Sequence, residues 1–261
     1  MAGQASKGVA SAPRTPKPVQ AALTASDVLE GLAAAGGQSS LTQLVDRTGI
    51  PLGTVHRMLQ ALAQQGYVRQ DPDTRLYALG PTLIRVGGMS GRLLGSWSRP
   101  ILNALVEATG ETATLSLLDG ADIVYIAQVP SPHNLRMLTQ LGRRIPAAST
   151  AAGKALLSLL DDEQVADLFA RHPVEPLTRR TIVDPAQFVD ELAVVREKGF
   201  AVEDGEHELG VRAFAMPVRG ERPMAVAVSG PDTRLSTEGI LAQVPTMQDV
   251  VARLEVEATR H

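Results

Sequence analysis

Arg57 and Gln60 stand three residues apart in the stretch GIPLGTVHRMLQALAQQGYV, and both side-chain types can hold a base edge with paired hydrogen bonds, guanidinium on guanine and amide on adenine. Thr54 can reach a phosphate or a base, and His56 lies beside it. Arg69 and Arg75 follow, one on each side of the turn formers Asp71-Pro72-Asp73-Thr74, where arginines suit backbone phosphate. An exposed Arg or Gln can equally touch only phosphate or water. These residues therefore acquire meaning from the elements that present them.

Those elements are legible between Ser39 and Leu79. Leu41, Leu44 and Val45 recur at helical spacing until Thr48-Gly49 breaks the pattern. After Ile50-Pro51, Val55, Leu59 and Leu62 mark a second helix that stops at Gly66. Tyr67-Val68-Arg69 then alternates as a strand and Arg75-Leu76-Tyr77 returns, giving a small two-stranded ribbon. The order predicts a winged helix-turn-helix in which Val55, Leu59 and Leu62 face inward and Thr54, His56, Arg57 and Gln60 face outward or to the flanks. Some winged helices bind only protein, and that alternative stays open here. A helix from Val19 to Ala35, closed by Gly36-Gly37, precedes the pair.

From Gly80-Pro81 a long helical pattern runs to about Thr109, with Leu83, Val86, Met89, Leu93, Trp97, Ile101 and Leu105 on one face and Arg85, Arg92 and Arg99 on another. So wide an apolar stripe predicts self-association, while Pro100 and four glycines predict a kinked, flexible linker. The arginine row reads as a solvated face. Beyond Glu111 the period changes to two, and strands are expected at Thr112–Leu118, Ile123–Val129, Arg136–Leu141, Phe200–Glu203, Val211–Val218 and Met224–Ser229. Gly142 to Pro146 reads as a loop. Helices are expected over Ala151–Leu160, Asp162–Ala170, Asp184–Gly199 and Ser236–Thr259, the last interrupted near Pro245. The sum is an α+β chain: an N-terminal winged helix-turn-helix (19–80), a linker helix (81–109) and a GAF- or profilin-like sensory domain (110–261). Residues 1–18, rich in Ala, Ser and Pro, read as a disordered tail.

Composition narrows the function classes. The 261 residues carry a net charge of −3, yet residues 1–80 hold seven Lys and Arg against five Asp and Glu, so the head is mildly basic on an acidic body. With no cysteine, disulfides, thiol catalysis and cysteine-ligated zinc are excluded, and a reducing cytoplasm is expected. No apolar run approaches a membrane span, and no membrane partner is expected.

Catalytic and cofactor patterns fail one by one. Gly153-Lys154 lacks the earlier glycine of a phosphate loop, since Ala148 stands there, and Ala155 replaces the magnesium-binding hydroxyl. There is no Gly-x-Ser-x-Gly elbow and no His-Glu-x-x-His. Glu203, Asp204, Glu206, His207 and Glu208 offer metal-binding types, but alternate strand residues point to opposite faces, and the five histidines show no ligand spacing. No catalytic residue, metal or cofactor is expected.

The stretch from Val19 to Leu235 resembles the IclR family of bacterial transcription regulators. The resemblance rests on GIPLGTVHRMLQALAQQGYV with a wing ending YALG, then LTQLGRRIP, STAAGKALL, GFAVEDGEHELGVRAFAMPV and AVSGP in that order. Within the family, SGRLLGSWSRPILNALVEATGETATLSLLDG with IVYIAQVPSPH is similar to the allantoin-repressor-like branch of actinobacteria. The resemblance implies double-stranded operator DNA as partner, a homodimer that is often a dimer of dimers, and a small effector, frequently an organic acid, in the C-terminal domain. Carried over by position, the effector site is Leu138, Ala151, Ala152, Glu203, Val211, Ala213, Ala227 and Ser229. At Ala151-Ala152 the helix start would offer backbone N–H groups to a carboxylate.

This sequence departs from glyoxylate-binding members at several of those places. Glu203 replaces Asp, Ala213 replaces a frequent Cys, and Ala227-Val228-Ser229 replaces Ser-x-Ser. Each ligand group left unpaired costs about 1–3 kcal/mol, so a larger or less polar effector than glyoxylate is expected. The expected function is effector-controlled transcriptional regulation, as a repressor of a catabolic operon. A catalytic or metal-dependent module tethered to DNA, or a DNA binder without an effector, are the alternatives.

Overall fold

The structure is a computed structural model describing residues 19–260, with the backbone alone for residues 90–94. The expected tail over residues 1–18 lies outside the described residues, as do the side chains of Arg92 and Leu93. The chain divides into two compact units between Gly88 and Met89.

In the first unit, α1 (Gln20–Ala34), α2 (Leu41–Thr48) and α3 (Leu52–Gln64) surround a core of Val28, Leu32, Leu44, Val55, Leu59, Val68 and Tyr77. Ser40 caps α2 by a reciprocal pair of bonds with Gln43, and Gly49, at φ 67°, ends it. A side chain at Gly31 would press on Thr48 and Leu44 at 3.2 and 3.3 Å, so that glycine sets how closely α1 and α2 approach. The ribbon is three-stranded rather than two-stranded. β1 (Gln38–Ser39), too short to carry a periodic signal, pairs with β3 (Tyr77–Leu79), which also pairs with β2 (Val68–Gln70).

The expected single helix from Gly80 to Thr109 is two helices, α4 (Thr82–Leu94) and α5 (Arg99–Thr109), joined by a 3₁₀ turn at Ser96–Ser98. The break falls at Gly95 rather than at Pro100. A side chain at Gly95 would lie 2.4 Å from the Ile126 carbonyl oxygen, whereas Pro100 sits in the first turn of α5, where its missing N–H costs nothing. Ile101, Leu102 and Leu105 of α5 are buried in the core of the second unit. The apolar stripe left exposed belongs to α4, in Ile84, Val86 and Met89.

The second unit is a six-stranded antiparallel sheet in the order β6-β5-β4-β9-β8-β7. Its strands are β4 (Thr112–Asp119), β5 (Asp122–Val129), β6 (Arg144–Pro146), β7 (Ala201–Asp204), β8 (Val211–Val218) and β9 (Met224–Pro231). Large side chains such as Leu115, Phe214, Met216, Val226 and Val228 line one face, against α5 and α9 (Thr237–Ala258). The other face carries Ala201, Ala213, Ala215, Ala225 and Ala227 under α6 (Ala151–Leu157), with α7 (Asp162–Arg171) and α8 (Pro185–Lys198) beyond. Phe169 of α7 and Phe188 of α8 meet at 4.7 Å between ring centroids. Among the described residues no helix is long and apolar enough to cross a membrane.

Three expectations are corrected. Arg136–Leu141 is not a strand: the side-chain amide of Gln128, turned to match donors with acceptors, takes the N–H and C=O of Thr139 at 3.0 Å each. The sixth strand is instead Arg144–Pro146, inside the expected loop, where Ile145 pairs with Ile123. Helix α9 runs through Pro245 without interruption. Pro245 and Leu241, whose carbonyl it frees, are exposed, so water can take that carbonyl while Ile240, Met247, Val250 and Leu254 anchor the helix.

Candidate functional site

On α3, burial of Val55 and Leu59 turns Arg57 and Gln60 to the exposed side, with Thr54 and His56 half-buried on its flanks. The α3 N-terminus at Pro51 has no side-chain cap, unlike α2, whose Ser40 accepts from Gln43 N–H. Its first N–H groups are therefore open to phosphate. Arg69 lies exposed on β2, and Arg75 occupies the turn between β2 and β3 at φ 59°, the one left-handed non-glycine residue among those described. Asp71 Oδ1 takes the N–H groups of Asp73 and Thr74 and the Thr74 hydroxyl, which fixes that turn. All six residues thus lie on α3 and the wing of one unit.

In the second unit, register places Glu203, Ala213, Ser229 and Thr112 in one row across β7, β8, β9 and β4, on the face covered by α6. Ala201, Ala215, Ala227 and Thr114 form the next row, and Tyr125 lies opposite Ser116 on the same face. Val211, two residues from Ala213, shares that side. Ala151 and Ala152 are buried above it. These residues floor and roof a cup of small side chains. Leu138 is set apart: it is 66% exposed at the rim, beside Met137, whose carbonyl accepts from the Thr112 hydroxyl.

Glu203 is the buried carboxyl of the cup, 3% exposed. Its Oε1 accepts the N–H groups of Glu206 at 2.7 Å and His207 at 3.2 Å. Burial nonetheless pushes its pKa up to about 7, despite those N–H groups, so at neutral pH it is often a carboxylic acid able to donate. Burial, then the nearby Glu203 charge, raises Tyr125. Burial and then Arg143 lower His207, whose Nδ1 lies 3.2 Å from Ser149 Oγ.

The STAAGKALL segment is explained by packing rather than by a phosphate. A side chain at Gly153 would lie 1.9 Å from the Ala147 carbonyl oxygen, so only glycine lets α6 close on the turn before it, while Thr150 Oγ1 caps the Gly153 N–H. Lys154, 1% exposed, sends Nζ to Glu206 Oε1 at 2.5 Å, Val202 O at 2.9 Å and Glu191 Oε1 at 3.1 Å. The acidic cluster after β7 therefore contributes a buried ion pair and a cup carboxyl. Among the described residues no group of three His, Asp or Glu is placed to hold a metal.

Sequence reasoning missed Tyr125, Arg143, Ser149 and the pairing of Lys154 with Glu206. The spacing of Lys154 and Glu206, 52 residues apart, carries no local signal. The acidic cluster from Glu203 to Glu208 was the available hint.

A model of the helix-turn-helix domain of IclR matches residues 23–72, and a model of the C-terminal domain of IclR bacterial transcriptional regulators matches residues 90–255. The transcriptional repressor IclR of Escherichia coli is 35% identical over 239 residues, covering 89% of this chain and 87% of its own. The repressor AllR of the same species is 29% identical over 227 residues, covering 85% and 84%. The crystal structure of an IclR transcriptional regulator from Alicyclobacillus acidocaldarius superposes with a TM-score of 0.82 at 27% identity, covering 92% of this chain and 99% of that one.

Proposed function

We propose that this chain, which belongs to the IclR family of bacterial transcriptional regulators, grips a palindromic operator as a homodimer and changes its grip when an effector fills the cup of its second unit. The chain is a DNA-binding transcriptional regulator of the repressor kind represented by its curated relatives. The observation that carries the base-reading assignment is the exposure of Arg57 and Gln60 on α3 while Val55 and Leu59 bury the opposite side. Thr54 and His56 support them at the flanks, and Arg69 and Arg75 hold phosphate.

Two base-reading residues specify too little sequence for one operator, which a second copy remedies. Exposed Ile84, Val86 and Met89 on α4 supply an apolar surface on which two heads, each spanning residues 19–80, would pair. The effector acts by linkage: it favours the arrangement of paired heads to which its cup is better fitted. The missing polar groups at Ala213 and Ala227 support an effector larger or less polar than glyoxylate, and pairs of dimers on longer operators fit the same scheme. We assign the chain no enzymatic activity, no metal and no cofactor, and place it in the cytoplasm with its DNA.

Replacing Arg57 and Gln60 singly by Ala tests the reading. Each should cost about 1–3 kcal/mol of operator affinity and relax preference at one base pair, measured by gel shift on a set of operator variants. Unchanged affinity in folded variants would overturn the assignment.

A further inference from the structure

We propose that Arg143 is the residue that binds the acid group of the effector, at the β6 end of the cup. The proposal rests on the reading that the cup holds an effector.

The geometry begins with Gly142. At φ 81° its N–H bonds the Tyr125 carbonyl at 2.8 Å, and the Arg143 carbonyl accepts from Tyr125 N–H at 3.5 Å. Two residues, Gly142 and Arg143, thus oppose Tyr125 in a glycine bulge that continues the β5–β6 ladder. Cross-strand partners share a face, so Arg143 stands on the side of Tyr125 and Ile145, which is the α6 side. Its neighbour Arg144 points the other way and pairs with Asp119 and Asp122.

The two arginines differ in occupation. Among the described residues the Arg143 guanidinium makes no hydrogen bond or ion pair, yet its charge is felt by Tyr125 and by His207, both at the cup. The buried cation of this region, Lys154, already has three partners. The floor is alanine, with hydroxyls from Thr112, Thr114, Ser116 and Ser229, and supplies no positive charge. Arg143, exposed at the rim, is therefore a cation that an acid entering the cup can take without breaking an ion pair.

The test is a binding series by calorimetry and thermal shift on the full chain. The probes are the straight-chain acids from propionate to octanoate, benzoate and 3-phenylpropionate, together with their primary amides. The proteins are wild type, Arg143→Gln and Arg144→Gln, the last removing the same charge from the opposite side. Acids that bind wild type should bind Arg144→Gln alike and lose roughly ten- to a hundred-fold with Arg143→Gln, while the amides are indifferent to the change. Acids that bind wild type and Arg143→Gln equally, or amides that bind where acids do not, would overturn the role of Arg143 and leave the effector reading standing. Binding by neither acids nor amides would instead overturn the effector reading itself.

Discussion

Removal of the Lys154 ammonium should cost the second unit a large part of its stability, and the loss should depend on pH. Glu206 is 8% exposed; its Oε1 is held by Lys154 at 2.5 Å and its Oε2 has no partner. Lys154→Met keeps the volume of the buried stem but leaves that carboxylate uncompensated, at about 3–5 kcal/mol, out of a total of about 5–15 kcal/mol for a domain. Burial already holds Glu206 above the usual carboxylate range, and Lys154 is the main opposing influence. Without it the carboxyl should take up a proton on folding, so the folded pKa rises further above the unfolded one. A raised pKa gives stability that is present at low pH and lost as pH rises. The gap between variant and wild type should therefore shrink as pH falls from 7.5 to 5.5, by about 1.4 kcal/mol per pH unit while only the unfolded state is ionised. Adding Glu206→Gln to Lys154→Met should recover about 2 kcal/mol, because no charge is then stranded. Denaturant titrations followed by Trp97 fluorescence measure all three proteins. A loss below 1 kcal/mol, or one that ignores both pH and the second substitution, would refute the reasoning.

Arg75→Gly should raise the stability of the first unit by about 0.5–1 kcal/mol, because glycine meets φ 59° without a side-chain clash, while lowering the slope of log affinity against log salt by about one phosphate contact. A thermal melt that falls, or a salt slope that does not move, counts against a wing arginine retained for DNA. Glu203→Gln keeps the oxygen that accepts from Glu206 and His207 but abolishes its ionisation. Since the Glu203 pKa stands at about 7, wild type should lose about 3 kcal/mol as pH rises from 4.5 to 7 and the variant should escape that loss; parallel stability profiles would rule this out. Replacing Ile84 and Met89 on α4 by Glu should yield monomers in sedimentation and weaken operator binding far more than either half-site contact alone explains.

What the sequence made legible was whatever has a local period. Val55 and Leu59 declare the inward side of α3, and Gly49 and Gly66 declare where helices end, because one residue suffices to set each. The edge of the sheet was misread for the opposite reason. Arg136–Leu141 alternates like a strand, yet a single amide from Gln128 takes the backbone groups of Thr139, and the neighbouring Arg144–Pro146 claims the ladder. That the linker breaks at Gly95 rather than at Pro100 or another of its glycines was equally unreadable, since it is enforced by Ile126 on another element.

The cup shows the same division in its chemistry. Family position alone led to Glu203, Ala213 and Ala227, but it could not reveal that the alanine floor leaves charge recognition to the rim. Two adjacent arginines look interchangeable in LGRRIP, and strand alternation separates them: Arg144 spends its charge on Asp119 and Asp122, and Arg143 does not. The cup combines a half-protonated carboxyl on β7 with an available guanidinium at the rim. Such a cup discriminates by orientation, because an acid turned toward Glu203 is stranded beside a like charge when that carboxyl is ionised. Arg143→Glu should therefore do more than weaken acids: it should shift the cup toward amines of the same length, and a variant that binds neither would show that the rim charge does not choose the ligand.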